Sequence, residues 1–321
     1  MIDFRYHIVS IIAVFLALAL GLFLGSTTLQ STVTRNLHHQ ADAVTSQNRS
    51  LQADNHQLST ELSDEQALLG LVGPYAVQDR LTGQSVAVVS APGVNSDDRK
   101  AVETALQQGG ATISADVQLQ SAYLDPTQDA LLGGLASQLS LPRHPLPPGT
   151  GSTQVSSELA DVLTGRPGHK PVSKAHVDAT LSALSDGKFI SVSGSPPTHP
   201  ASLAVLLVPA PSSSVSATTA QAQNAILLAL AQQLQHSTTG LVVAGRTPSP
   251  PVAGGMLAAV NSDSGLSKTV STVDLASTDV DQDAMAGRIA VVLALADSAG
   301  GKRGTYGLGQ NPPVPTPTAS P

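Results

Sequence analysis

The feature that most constrains this chain is an uncharged apolar run, Ile8 to Gly25, interrupted by one hydroxyl, Ser10. As a helix it reaches roughly 27 Å, about the hydrocarbon thickness of a bilayer. A serine there can bond back to the helix's own carbonyls. Phe4 and Tyr6 stand just ahead of the run, where aromatic rings favour the headgroup level. No polar face exists, so a buried core helix fits poorly. An uncleaved anchor and a cleaved signal peptide both fit. A signal would have a shorter apolar region and a small-x-small cleavage site, of which Leu24-Gly25-Ser26 is only a poor version. The expected anchor is 1–28, with Ile8, Phe15, Leu20 and Leu24 in lipid. Arg5 precedes the span and the next basic residue is Arg35, well beyond it. By the positive-inside tendency the chain is single-pass, with its C-terminal part on the extracytoplasmic side.

A heptad follows over 29–73. With Ala41, Asn48, Asn55, Leu62 and Leu69 at position a, position d holds Leu37, Val44, Leu51, Leu58 and Val72, and Glu65 is the misfit. This register predicts a coiled-coil rod with Leu37, Val44, Asn48, Leu51, Asn55, Leu58 and Leu62 on its seam. Asparagines at a pair across a two-stranded seam and set its register at a cost in stability. A homodimer is expected, parallel because all copies would leave the membrane in one direction. The alternative is a single amphipathic helix lying on the following domain. Gly73-Pro74 is expected to end the helix.

Beyond the rod, aromatics are scarce: Tyr75, Tyr123, Phe189 and Tyr306 are the only large rings. The core must therefore pack on aliphatic side chains. The net charge of −7 argues against nucleic acid as a partner. With no cysteine, disulfides, thiolate metal sites and a cysteine nucleophile are excluded.

Strand and helix signals alternate through 74–310. Ser85 to Ser90 is an apolar strand, Ala101 to Leu106 lies in a helix closed by Gly109-Gly110, and Ala111 to Val117 is the next strand. Helices are expected over 125–139, 155–163, 177–184, 218–236 and 256–260, and strands over 189–192, 203–208, 241–244 and 269–275. Thr278 or Asp279 would cap a last helix through Asp297. The expected fold class is α/β: a transmembrane helix and coiled coil, then a doubly wound, mostly parallel-sheet, Rossmann-like domain. Segment 141–200 reads as a candidate insertion or small subdomain, and 311–321 as a disordered Pro-rich tail.

Motifs for chemistry are weak. Ser90-Ala-Pro-Gly93 lacks the glycines of a dinucleotide fingerprint, and its proline removes a donor. Gly300-Gly-Lys-Arg-Gly304 has the wrong spacing for a P-loop. Asp279, Asp281 and Asp283 start like a calcium loop, but Ala284 and Ala290 stand where glycine and glutamate are needed. There is no G-x-S-x-G elbow. No catalytic residue, and no enzyme, is expected; no cofactor is evident. The histidines are scattered without H-x-x-x-H spacing. A dimer could bring two His38-His39 pairs together across the seam, so His38 and His39 are the metal candidates, against a solvated polar face.

The opening Met-Ile-Asp-Phe-Arg-Tyr-His7, running into Ile8 to Gly21 and Gly25-Ser26, resembles the actinobacterial copper-transporter family named for the mycobacterial protein MctB. The likeness extends to the rod asparagines, the Val86-Ala-Val-Val-Ser90 strand and Tyr306-Gly-Leu-Gly309. It implies a cell-envelope protein of copper transport or homeostasis, proposed in the family to act as a pore. Copper as a ligand rests on this resemblance alone. Related members look like partners of envelope and division proteins, working through the coiled coil. A non-catalytic scaffold that binds such proteins is therefore the alternative.

Overall fold

The computed structural model describes residues 4–141, 145–165, 171–194, 197, 199–247, 254–277 and 285–307, and within these the side chains of 4–5, 26–39, 66 and 276–277 lie outside the description. The candidate Leu37, His38 and His39 side chains, the Thr278/Asp279 cap and the tail therefore fall outside the described residues. Two compact units divide the chain, Met1–Glu65 and Gln66–Pro321.

Helix α1 runs Phe4–Val77. It does not stop at Gly73-Pro74, as the sequence suggests. A proline inside a helix removes one donor and crowds the previous turn, yet the helix continues because its last turn is held by packing. Val77 and Leu81 beyond it are buried, and the Gln78 N–H donates to the Pro74 carbonyl at 3.0 Å. Gly73 allows close approach instead of termination: a Cβ there would sit 2.8 Å from Ile289 Cδ1.

The second unit is a mixed α/β fold. Its order is β1 (Ser85–Ser90), α2 (Ser96–Gln108), β2 (Thr112–Leu119), two 3-10 turns, α3 (Asp129–Leu139), α4 (Gly151–Thr164), α5 (Lys174–Asp186) and β3 (Ile190–Ser193). Then come β4 (Leu203–Val208), α6 (Ala217–Ser237), β5 (Gly240–Thr247), α7 (Met256–Ser262), α8 (Leu266–Thr269), β6 (Ser271–Ser277), α9 (Met285–Ala299) and β7 (Thr305–Gly307). Seven strands form one sheet in the order β3-β2-β1-β4-β5-β6-β7. All neighbours pair in parallel except β2 and β3, so the edge strand β3 is antiparallel.

The central strands are aliphatic throughout because both faces are covered. Ala87, Val89, Leu206 and Val243 face one layer with Leu159 and Leu163 of α4 and Leu230 and Leu234 of α6. Val86, Val88, Leu207 and Val242 face the other, with Leu106 of α2 and Val291 and Leu295 of α9.

Segment 141–200 supplies α4, α5 and β3. All of α4 except Thr153 and Gln154 is buried, including Glu158 and Asp161. Its start is satisfied twice over: Thr150 caps it, and the Asp129 carboxylate accepts from the N–H groups of Gly151 and Ser152 at 3.0 and 2.8 Å. Burial pushes the Asp129 carboxyl up, the two N–H donors push it down, and the net effect is downward.

Candidate functional site

Residues Tyr6–Gly25 of α1 are long and apolar enough to cross a membrane, and none of that span is buried within the chain. Ile8, Phe15, Leu20 and Leu24 are all exposed. Apolar side chains cover the whole circumference, which is the pattern of a lipid-facing helix.

Further along α1, Val44, Leu51, Leu58 and Leu62 are exposed, as are Asn48 and Asn55. The polar contacts here are local: Gln57 Nε2 donates to Glu61 Oε1 at 2.8 Å, and the Thr60 hydroxyl to the His56 carbonyl at 2.9 Å. Such (i, i+4) contacts support an isolated helix by a few tenths of a kcal/mol. They leave the aliphatic stripe uncovered.

In an open parallel sheet, ligands sit at the carboxyl ends of the strands where the strand order reverses. Here that point lies between β1 and β4. The loop after β1 is drawn tightly against the loop after β4: the Ala91 N–H donates to the Leu207 carbonyl at 2.9 Å, and a Cβ on Gly93 would meet Pro209 at 3.4 Å. Gly93 has φ +86°, a conformation that favours glycine. Asn95 then caps α2, its side chain accepting from the Asp97 N–H at 2.8 Å. The first turn of α2 is acidic, Asp97 and Asp98. Arg246, near the end of β5, binds Asp98 with both nitrogens Nε and Nη2, at 2.6 and 2.7 Å. An anion approaching this helix start would meet a carboxylate already held by the nearby guanidinium.

A second ionic group lies where α2 crosses β2. Arg99 Nη1 donates to Asp116 Oδ2 at 2.6 Å and stands 3.6 Å from Glu103 Oε1. Burial and the Asp116 charge raise the Glu103 carboxyl above its ordinary value, outweighing Arg99 and Lys100. Asp116 also lines a groove of about 540 Å³ beside the β2–β3 edge, with Gln84, Ser85, Ile113, Ser193 and His199. On the opposite layer, His176 Nε2 of α5 lies 3.6 Å from the buried Glu158 Oε2 of α4.

None of these sets forms a metal centre. Among the described residues, no group of three or more His, Cys, Asp or Glu comes together to hold an ion. The ion pairs were not legible as a site in sequence. Asp98 and Arg246 are separated by 148 positions, and each alone reads as an ordinary helix-start or strand-end charge.

A family model described as "Copper transport outer membrane protein, MctB" matches residues 1–317. The copper transporter MctB of Mycobacterium tuberculosis (strain ATCC 25618 / H37Rv) is 29% identical over 337 residues, covering 96% of this chain and 97% of that protein. The copper transporter MctB of Mycobacterium leprae (strain TN) is 28% identical over 330 residues, with the same coverage of each chain.

Proposed function

The chain belongs to the MctB family of copper transport outer membrane proteins, and from that premise we propose that it is a single-pass envelope membrane protein acting in copper transport or homeostasis. One observation carries the reading. The likeness to the mycobacterial copper transporters covers 96% of this chain, so the apolar helix, the rod and the α/β unit all fall within it. In this reading Tyr6–Gly25 is the membrane span, Arg5 keeps the short tail cytoplasmic, and the α/β unit is extracytoplasmic. The strand order and the two covered faces support a doubly wound, Rossmann-like description of that unit. It carries no catalytic role.

The chemistry limits how copper is handled. One helix without a polar stripe offers an ion no lining. The central strands β1, β4 and β5 are apolar on both faces, unlike the alternating strands of a membrane barrel. Any path for the ion then requires several copies or a partner. Copper is cargo here, not a resident cofactor. Deleting the gene should raise cellular copper and lower copper tolerance, with both restored by the full-length chain. A deletion strain with parental copper content and tolerance would overturn the proposal.

A second reading is favoured by the exposed stripe Val44, Leu51, Leu58 and Leu62. In it, the rod pairs two copies and serves as a scaffold for envelope or division proteins. Capture from intact envelopes through residues 30–72 tests it, and recovery of no envelope protein ends it.

A further inference from the structure

The rod's seam carries more than an invitation to pair. Between Ala41 and Leu62 every d position is aliphatic, while two successive a positions are amides, Asn48 and Asn55. All of Val44, Asn48, Leu51, Asn55, Leu58 and Leu62 are exposed on α1. Orientation and register follow from what each arrangement would set opposite those amides.

In a parallel pair, a faces a and d faces d. In register, Asn48 meets Asn48 of the second copy and Asn55 meets Asn55, so both amides exchange hydrogen bonds. Slipped by one heptad, Asn48 meets Asn55, but one remaining asparagine faces Ala41 and the other Leu62. In an antiparallel pair, a faces d. Asn48 and Asn55 would then lie against residues such as Leu51 and Val44, or Leu58 and Leu51. Each mismatch buries an amide without a partner, which costs about 1–3 kcal/mol per group. The flanking positions do not compete with this. Gln40, Gln47, Asp54 and Glu61 at g, and Thr45, Gln52 and Ser59 at e, include no lysine or arginine. No opposite-charge pair forms across the seam in either orientation.

We propose that residues 41–62 form a parallel, in-register seam with a second copy of this chain, in which Asn48 and Asn55 each pair with themselves and thereby exclude the antiparallel and slipped arrangements. The proposal rests on the reading of this stretch as a parallel pairing rod and adds the self-pairing of Asn48 and of Asn55 that excludes every other arrangement. Stability comes from the aliphatic d layer, while uniqueness comes from the two amides. Such a seam is insensitive to salt, because no charge pair holds it.

Thiol crosslinking in the full-length, membrane-embedded protein tests this. The chain has no cysteine, so an introduced thiol is the only one. Val44→Cys and Leu58→Cys, made separately, should each link to themselves on mild oxidation. No antiparallel arrangement brings both positions onto their own copies. Co-expressed, differently tagged Val44→Cys and Leu51→Cys chains should give little mixed product. Adding Asn48→Leu and Asn55→Leu to both should raise that slipped product at least tenfold while the protein stays dimeric.

The failures are distinct. A dimer by sedimentation in detergent in which Val44→Cys and Leu58→Cys do not both self-link overturns the direction and register, yet leaves the pairing rod standing. A slipped product unchanged by the two leucines removes the asparagines' role. A monomer, or a thiol that links only to another protein, overturns this proposal and the homodimeric rod together.

Discussion

Arg246 at the end of β5 holds Asp98 in the first turn of α2 through two charge-assisted hydrogen bonds, at 2.6 and 2.7 Å. The pair ties a helix start to a strand two places across the sheet, over the point where the strand order reverses. Asp98 is 7% exposed, so the bond to Arg246 is largely shielded from water. Asp98→Ala should destabilise the α/β unit by about 2 kcal/mol, the scale of losing a charged bond while a half-buried cation keeps its other contacts. Thermal unfolding of the full-length protein in detergent checks this. An unchanged midpoint would show that the pair is not holding α2.

Glycine 151 lies where α3 and α4 touch. A Cβ there would run into the Asp129 carbonyl oxygen and into Gly133. Gly151→Ala should cost about 3 kcal/mol, at the upper end for overpacking, because the obstruction is backbone and cannot rotate away. The same denaturation measurement applies, and Gly134→Ala, which meets nothing within 4 Å, is the control expected to leave stability unchanged or slightly higher.

Glu103 gives a pH dependence with a definite sign. Burial, then the nearby Asp116 charge, raise its pKa in the folded protein above the ordinary 4.5. Between the ordinary and the raised value the folded state binds more protons than the unfolded one. Stability from this group is therefore present at low pH and lost as pH rises through that window. Glu103→Gln removes the burden of a poorly solvated charge, so the variant should exceed the parent in stability near neutral pH and converge with it in acid. A variant less stable than the parent at pH 7 would mean that the Arg99 contact outweighs the desolvation.

Leu16 lies near the middle of the apolar span and is exposed. Leu16→Arg places a charge where insertion costs about 3 kcal/mol. The variant should fall sharply in the carbonate-resistant membrane fraction, whereas Leu16→Ala should not. Equal retention of the arginine variant would refute the span.

Much of the α/β unit was legible because its strands report their own burial. Val86 to Val89, Leu203 to Val208 and Leu241 to Ala244 are covered on both faces, and a doubly buried strand must be aliphatic from end to end. Signals failed where burial and hydropathy part company. Helix α4 is almost wholly buried yet carries Ser156, Ser157, Glu158 and Asp161, so its sequence reads as half-polar and its limits as shorter. Strand β7 is only three residues, Thr305–Gly307, and α8 only four, too short for any period. Pro74 reads as a stop because local chemistry forbids a donor, while Val77 and Leu81, held in the core, carry the turn past it. The candidate site was less legible than the fold. Its aliphatic stripe is local in sequence and could be seen; its ion pairs, Asp98 with Arg246 and Arg99 with Asp116, are assembled by the sheet and could not.

Among the described residues, the two outermost strands of the sheet, β3 with four residues and β7 with three, are the shortest. In any sheet, an exposed rim is a template on which a second copy's strands can pair. A rim this brief presents few unsatisfied amides to a neighbour, so such pairing has little ladder on which to grow.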